Sequence, residues 1–281
     1  TIKDGYIPII TGFQGITDQG DTTTMGRGGS DTTAVAIAAS IKAKRCDIYT
    51  DVDGIYTTDP RIVPEAKKLD SISIEEMLEL AGQGAKVMQT RAVEFANKYK
   101  VLVRVLSSFE PGSGTLILQE EEGMEDAVIT GIASQENQTK FTLHGVVDTP
   151  GIASGILSPI SDAGIEVDVI VQNVSVSGKT DFTFTVGTSD RAEAETVLKE
   201  KMQGITYDEL MIDEGIGKVS LVGVGMRSHA GIASTAFNAL ADAGINIQMI
   251  STSEIKITIV IADNQLKDAV KTLHAAFNLG S

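Results

Sequence analysis

Short, continuously apolar runs alternate along the first 118 residues with longer stretches whose apolar side chains recur every three or four positions. "YIPIITGF" (6–13), "CDIYTDV" (46–52) and "VLVRVLSSF" (101–109) read as buried strands. Between them, "DTTAVAIAASIKA" (31–43) predicts a helix and "SIEEMLELAGQGAKVMQTRAVEFANKY" (73–99) one or two more. Strands alternating with helices of this length require right-handed crossovers, so the expectation is an α/β unit with a largely parallel sheet covered on both faces. "PGSGTLI" (111–117) predicts a turn and a short strand, and the acidic "QEEEGMEDA" (119–127) a solvated connector with no face to bury.

Beyond the connector the pattern repeats. "KFTLHG" (140–145) returns as "KVSLVG" (218–223), "GIAS" (151–154) as "GIAS" (231–234), and "DAGIEVDVI" (162–170) as "DAGINIQMI" (242–250). Strand-like "KTDFTFTVG" (179–187) and "EIKITIVIA" (254–262) follow, then helical "RAEAETVLKEKM" (191–202) and "NQLKDAVKTLHAAF" (264–277). The unit is an α+β, ferredoxin-like βαββαβ module present twice. The division expected from sequence is 1–118, connector 119–127, and modules over 128–210 and 211–281.

Composition narrows the function classes. With 281 residues, 42% of them hydrophobic, the chain can bury two or three cores. No apolar run is long enough to span a membrane, and no basic region followed by an apolar stretch opens the sequence, which reads as cytoplasmic. It starts at Thr1 with its first apolar run close behind, as a piece of a longer or processed chain would. Net charge is −15, concentrated in the second part: residues 1–118 carry 13 Lys and Arg against 15 Asp and Glu, residues 119–281 carry 10 against 23. That balance argues against a nucleic-acid partner, while the nearly neutral first part can still hold a nucleotide. Cys46 is the one cysteine and reads as a buried thiol; His144, His229 and His274 are too scattered to suggest a metal centre.

Two polar clusters carry candidate chemistry. "TMGRGGSDTT" (24–33) lies where a strand gives way to a helix, a place whose unpaired N–H groups and dipole suit an anion. Gly26, Gly28 and Gly29 admit close backbone approach, Ser30 can cap or donate, Arg27 can clamp a carboxylate or phosphate, and Asp31 can cap, hold a cation or orient an ammonium group. A well-capped turn would use the same residues. "YTDVDGIYTTDPR" (49–61) sits at the C-terminal end of an expected parallel strand, where open α/β sheets place ligands. Asp51, Asp53 and Asp59 can serve magnesium and ribose hydroxyls and Tyr56 can cover a purine; a polar loop with a D-G turn is the alternative.

With both clusters and the repeat in view, the sequence resembles the aspartate kinase family over essentially its whole length. "GFQG", "GRGGSDTTA", "YTDVDGIYTTDPRIVP", "EEMLELAGQGAKVM", "RAVEFA", "QNVS" and "ISTSEIKI" carry the resemblance, in family order. It implies the latter part of an amino-acid-kinase domain followed by two ACT domains, acting on ATP, Mg2+ and L-aspartate. Arg27, Gly28, Gly29, Ser30 and Asp31 match the aspartate-binding segment facing the transferred phosphoryl group, Arg27 and Asp31 being the expected catalytic residues. Thr50, Asp51, Tyr56, Thr57, Thr58, Asp59, Pro60 and Arg61 match the nucleotide loop, and Lys86 a basic residue near the phosphates. The family's opening strand, lysine and glycine-rich turn have no counterpart here, so the chain alone is expected to be inactive.

The resemblance also implies effector sites for lysine, threonine or both. In the first repeat the expected residues are Asp148, Gly151, Ile152, Ala153, Val167, Asp168 and Gln172. In the second they are Ser228, His229, Gly231, Ile232, Asn246, Ile247, Thr252, Ser253 and Glu254, with Ala230 where members often have proline. Pairing of the modules with another chain, as a homo- or hetero-oligomer, is expected. A non-catalytic regulatory chain is the competing reading.

Overall fold

The computed structural model describes residues 4–26, 28–85, 87–119, 128–174, 178–202 and 204–280. Arg27, Lys86 and nearly all of the expected acidic connector lie outside the described residues. In the N-terminal part, β3 (Cys46–Thr50), β4 (Ser71–Ser73), β5 (Val103–Ser107) and β6 (Thr115–Leu118) form a four-stranded sheet in the order β3-β5-β6-β4. β3 pairs with β5 and β4 with β6 in parallel, while β5 meets β6 antiparallel, so the sheet is mixed with two of its three pairings parallel. The link between β5 and β6 can reverse the chain but is too short for a crossover. Cys46 is free and buried, as expected.

Helix α1 (Gly29–Ser40) precedes β3, and the 73–99 stretch forms two helices, α2 (Ile74–Gly82) and α3 (Thr90–Tyr99). α1 packs on α3 through small side chains. Ala34, Val35, Ala38, Ala92, Val93 and Ala96 share one core with Ile48, Val103 and Val105. Interior alanines preserve helix propensity while keeping the contact thin.

The run at 6–13 departs from expectation. It forms no strand, and Ile7 and Ile9 are 89% and 95% exposed. β3 is the sheet edge, so among the described residues no strand pairs with this segment. The adjoining chain instead makes a small hairpin, β1 (Gln14–Ile16) against β2 (Thr22–Thr24).

Asp47 on β3 ties that edge together. Its carboxylate accepts from Arg104 Nε and Nη2 at 3.0 and 2.8 Å and from Arg45 Nε at 2.6 Å. These bonds, those from Arg104 foremost, outweigh partial burial and hold its pKa at about 2. Because the folded value is depressed, the stabilisation is complete above the ordinary carboxylate value and fades as pH falls toward the folded one, a contribution of about 2 kcal/mol at neutral pH. Asp47→Asn is therefore expected to lower urea-determined stability by about 1–2 kcal/mol at pH 7, with the gap closing near pH 2.

The C-terminal part forms one six-stranded sheet in the order β11-β12-β10-β7-β9-β8. Its strands are β7 (Gly131–Val147), β8 (Ile170–Val174), β9 (Lys179–Gly187), β10 (Glu209–Val222), β11 (Met249–Thr252) and β12 (Lys256–Ala262). Helices α4 (Ile152–Asp162), α5 (Arg191–Lys201), α6 (Ile232–Asp242) and α7 (Leu266–Ala276) complete the two repeats. β7 and β10 are long and each serves both modules. Phe141 on β7 pairs with Phe184 and with Ile212 in the first module, whereas Ile132, earlier on the same strand, pairs with Leu221 in the second. The expected boundary at 210/211 thus falls inside β10, and residues 131–135 complete the second module's sheet.

Equivalent lysines clamp the two modules. Lys218, 2% exposed, pairs with Asp168, while Lys140 reaches Gln248 Oε1 at 3.5 Å and Asp213 at 3.1 Å. In the repeat, Lys140 corresponds to Lys218 and Asp168 to Gln248. Each first-strand lysine therefore reaches the loop beyond the other module's first helix.

Helix α2 docks the N-terminal part onto the second module with its polar side. Arg227 Nη2 bonds Glu75 at 2.8 Å, Lys256 pairs with Glu79 at 2.8 Å, and Ser220 Oγ bonds Gln83 at 2.9 Å. Glu76, 4% exposed, is the centre of this contact. One of its oxygens closes a capping box with Ser73; the other accepts from Thr130 Oγ1 at 2.6 Å and Val224 N at 3.0 Å.

Candidate active and effector sites

α1 ends at Ser40 and β3 begins at Cys46, and the two have similar lengths of about 17 Å, so the start of α1 returns to the C-terminal end of β3. The same reasoning brings the start of α3 to the C-terminal end of β5. Both polar clusters consequently lie at one end of the sheet, at the edge where ligands are expected.

At that end Gly28 caps α1 in the left-handed region, with φ 71°. A Cβ on Gly28 would lie 1.6 Å from Gln89 Cγ, so only glycine lets the two helix starts meet. Thr32 Oγ1 and Thr33 Oγ1 donate to Gly28 O and Gly29 O at 3.3 and 2.8 Å, and Phe13 N–H donates to Thr33 Oγ1 at 3.3 Å. Ser30 Oγ is 3.5 Å from Asp31 Oδ1. Burial raises the Asp31 pKa, opposed by hydrogen bonds from the Gln89 backbone and Ser30. A partly desolvated carboxylate in a first helical turn is well placed to receive a cation such as an ammonium group.

The nucleotide loop has two faces. Thr57 and Thr58 are buried. Thr57 Oγ1 lies 3.0 Å from His274 Nε2 on α7 and accepts from Lys67 N at 3.0 Å, so its hydroxyl points into the protein rather than toward a ligand. Burial pushes the His274 pKa down, with Glu65 working against it. Outward, Arg61 holds Asp59 through Nη2 at 2.7 Å and Pro60 is exposed. Asp53 accepts from Tyr56 OH at 2.9 Å and Lys68 Nζ at 3.1 Å; burial would raise its pKa, but these bonds together keep it low. Thr50 Oγ1 donates to Asp51 at 3.2 Å at the exposed end of β3. Of the three aspartates, two are thus committed to cations, and among the described residues no group of three His, Cys, Asp or Glu could hold a metal.

In the first module Asp148, Gly151, Ile152, Ala153 and Gln172 converge on a concavity of about 440 Å³. Thr149, Pro150 and Ser154 line it too, and their place inside "DTPGIAS" was the available signal. Gly151 caps α4 with φ 96°, leaving a helix start to face a carboxylate. Asp168 and Val167 are directed elsewhere: Asp168 to Lys218, Val167 against the module core.

The second module's expected residues mostly bond within their own loops. His229 Nδ1 is 2.8 Å from Gly225 O and 3.1 Å from Ser228 Oγ, Ser253 N donates to Lys256 O, and Glu254 faces Arg227 at 3.6 Å. Gly231 caps α6 with φ 92°, Ile232 and Ile247 pack in the core, and Asn246 and Thr252 are exposed. Glu76 and His274 are contacts that sequence reading missed. No helix among the described residues is long and apolar enough to cross a membrane.

Known families match both parts of the chain. The amino acid kinase family model matches residues 1–107, and ACT domain models match 143–201 and 219–277. An aspartokinase of Pseudomonas aeruginosa is 57% identical over 280 residues, 99% of this chain and 68% of the relative. The structure of E. coli aspartokinase III with aspartate and ADP superposes with a TM-score of 0.79 at 31% identity, covering 94% of this chain and 59% of that one. The same enzyme with lysine and aspartate gives a TM-score of 0.74 at 31% identity, over 95% and 59%. The chain, which spans about two thirds of the length of such relatives, belongs to the aspartate kinase family.

Proposed function

We propose that a polypeptide containing this chain transfers the γ-phosphoryl group of MgATP to the β-carboxylate of L-aspartate, giving 4-phospho-L-aspartate and ADP. A carboxylate oxygen attacks phosphorus, the bond to the ADP oxygen breaks, and no proton need move. The observation that carries the reading is the junction of the α1 and α3 starts at Gly28 and Gln89, which sets Asp31 beside a glycine-lined helix start. Catalysis of this kind rests on positioning and charge neutralisation. Arg27 and Lys86 supply positive charge, Gly28, Gly29 and Ser30 the backbone cradle, and Asp31 a partner for the substrate ammonium group. Asp59, Pro60 and Arg61 border the nucleotide, with Thr50 and Asp51 ordering the strand end. Mg2+ enters on the phosphates of ATP. A regulatory chain without catalysis would need only the ACT modules, and the match of residues 1–107 to the kinase family favours the enzyme.

Lysine, threonine or both act as feedback effectors, with Asp148 and Gln172 meeting the ammonium group and the start of α4 the carboxylate. The edge strands β8 and β11 carry Ile170 and Ile250, 47% and 40% exposed at equivalent positions, which supports pairing with another chain through these edges. Calorimetry with each amino acid is expected to give binding heat and a thermal shift, both lost in Asp148→Ala. Silence with both ligands would end the effector reading, and a phosphoaspartate assay with lysine and threonine, singly and together, tests the coupling.

A further inference from the structure

We propose that His274 of the second ACT module is a positioning residue for the nucleotide loop: it orients the loop through Thr57 and so sets the affinity for ATP. The inference rests on the kinase reading above for what the loop binds, and on the contacts below for how the loop is held.

The loop from Tyr56 to Arg61 is divided between two parts of the molecule. Its outer residues, Asp59 to Arg61, face solvent, whereas its inner residues belong physically to the ACT region. Thr57 O accepts from Ile132 N at 2.7 Å, on the strand that completes the second module. Val63, just past the loop, is buried in that module's core with Leu266, Val270 and Leu273 of α7. His274, 3% exposed, adds the side-chain contact, Nε2 to Thr57 Oγ1 at 3.0 Å.

The hydroxyl of Thr57 is suited to this role. Thr57 N donates to Lys67 O at 2.9 Å and Thr57 Oγ1 accepts from Lys67 N at 3.0 Å, which leaves the hydroxyl proton for Nε2 of a neutral ring. A cavity of about 620 Å³, lined by residues including Val63, Glu65, Lys271, His274 and Asn278, opens beside this contact. Thr57 itself meets the second module through two directed bonds, Ile132 N–H to its carbonyl and His274 Nε2 at its hydroxyl. Any shift of α7 then reaches Asp59 and Arg61 through Thr57.

The test uses Thr57→Val, which keeps the side-chain shape, together with Thr57→Ser, His274→Leu and the double variant Thr57→Val/His274→Leu. In the active enzyme containing this chain, each of Thr57→Val and His274→Leu should raise KM for ATP about threefold to tenfold. KM for aspartate should stay within about twofold, the double variant should be no worse than either single one, and Thr57→Ser should match the wild type. Amide hydrogen exchange on this chain provides a reading independent of turnover, with protection at 56–63 expected to fall more than elsewhere in His274→Leu. Unchanged KM for ATP, additive effects, failure of Thr57→Val to fold, or unchanged exchange at 56–63 would each overturn the proposal. A wild-type enzyme that makes no phosphoaspartate would instead overturn the kinase reading, and the exchange result would still decide the contact.

Discussion

Glu76→Ala is expected to lower the unfolding free energy by about 3 kcal/mol, a larger loss than that expected of Asp47→Asn, read as a shift in the urea midpoint at constant slope. The carboxylate is buried and takes hydrogen bonds from the Ser73 backbone, Thr130 Oγ1 and Val224 N. Truncation strands these donors, and the Ser73 hydroxyl that also bonds the carboxylate, and opens a void between α2 and the second module. Glu76→Gln keeps the volume but turns an NH₂ group toward donors on one side, so about half of the loss should remain. Two variants within about 0.5 kcal/mol of wild type would show that these bonds do not hold the interface.

Gly28→Ala should cut kcat/KM for aspartate by at least about tenfold in the active enzyme, with a smaller loss of stability, about 1–2 kcal/mol. The methyl group meets Gln89 at its Cβ as well as its Cγ, at 2.5 and 1.6 Å, so the start of α3 must withdraw rather than a side-chain tip rotate. Withdrawal removes the Gln89 backbone hydrogen bond from Asp31 and changes the pocket that the ammonium group would enter. Steady-state kinetics with normal KM for ATP and impaired KM for aspartate would place the defect on the substrate side. Unaltered kinetics would remove this junction from the aspartate site.

Much of this was legible in sequence because the determining physics is local. The internal repeat, the strand at 179–187 and the helix starts at Gly151 and Gly231 follow from periodicity and from glycine at left-handed positions. Asp148 and Gln172 were also legible, since the repeat places the GIAS loop beside the following strand. Asp168 was not. Its sequence neighbourhood looks like effector chemistry, but its partner, Lys218, comes from the other module, and that pairing depends on β7 and β10 crossing between modules. The buried contacts of Thr57 and Glu76 were not legible for the same reason. A threonine in a polar loop and a glutamate on an amphipathic helix look solvent-facing until a distant surface is laid over them. The 6–13 run failed differently: an apolar pattern states that a segment has surface to bury, but not whether a partner for it is at hand.

The shared strands also govern how the chain must be built. Ile132 is synthesised long before its partner Leu221, and the whole first repeat emerges between them. At ordinary translation rates the gap is on the order of 5–20 s, during which the front half of β7 is an unsatisfied edge on a nascent chain. The first repeat cannot close its own sheet either until the opening residues of β10 arrive. Neither module can finish before the ribosome is well into the second, so a stalled or clipped chain would leave two open sheets rather than one complete domain and one missing one.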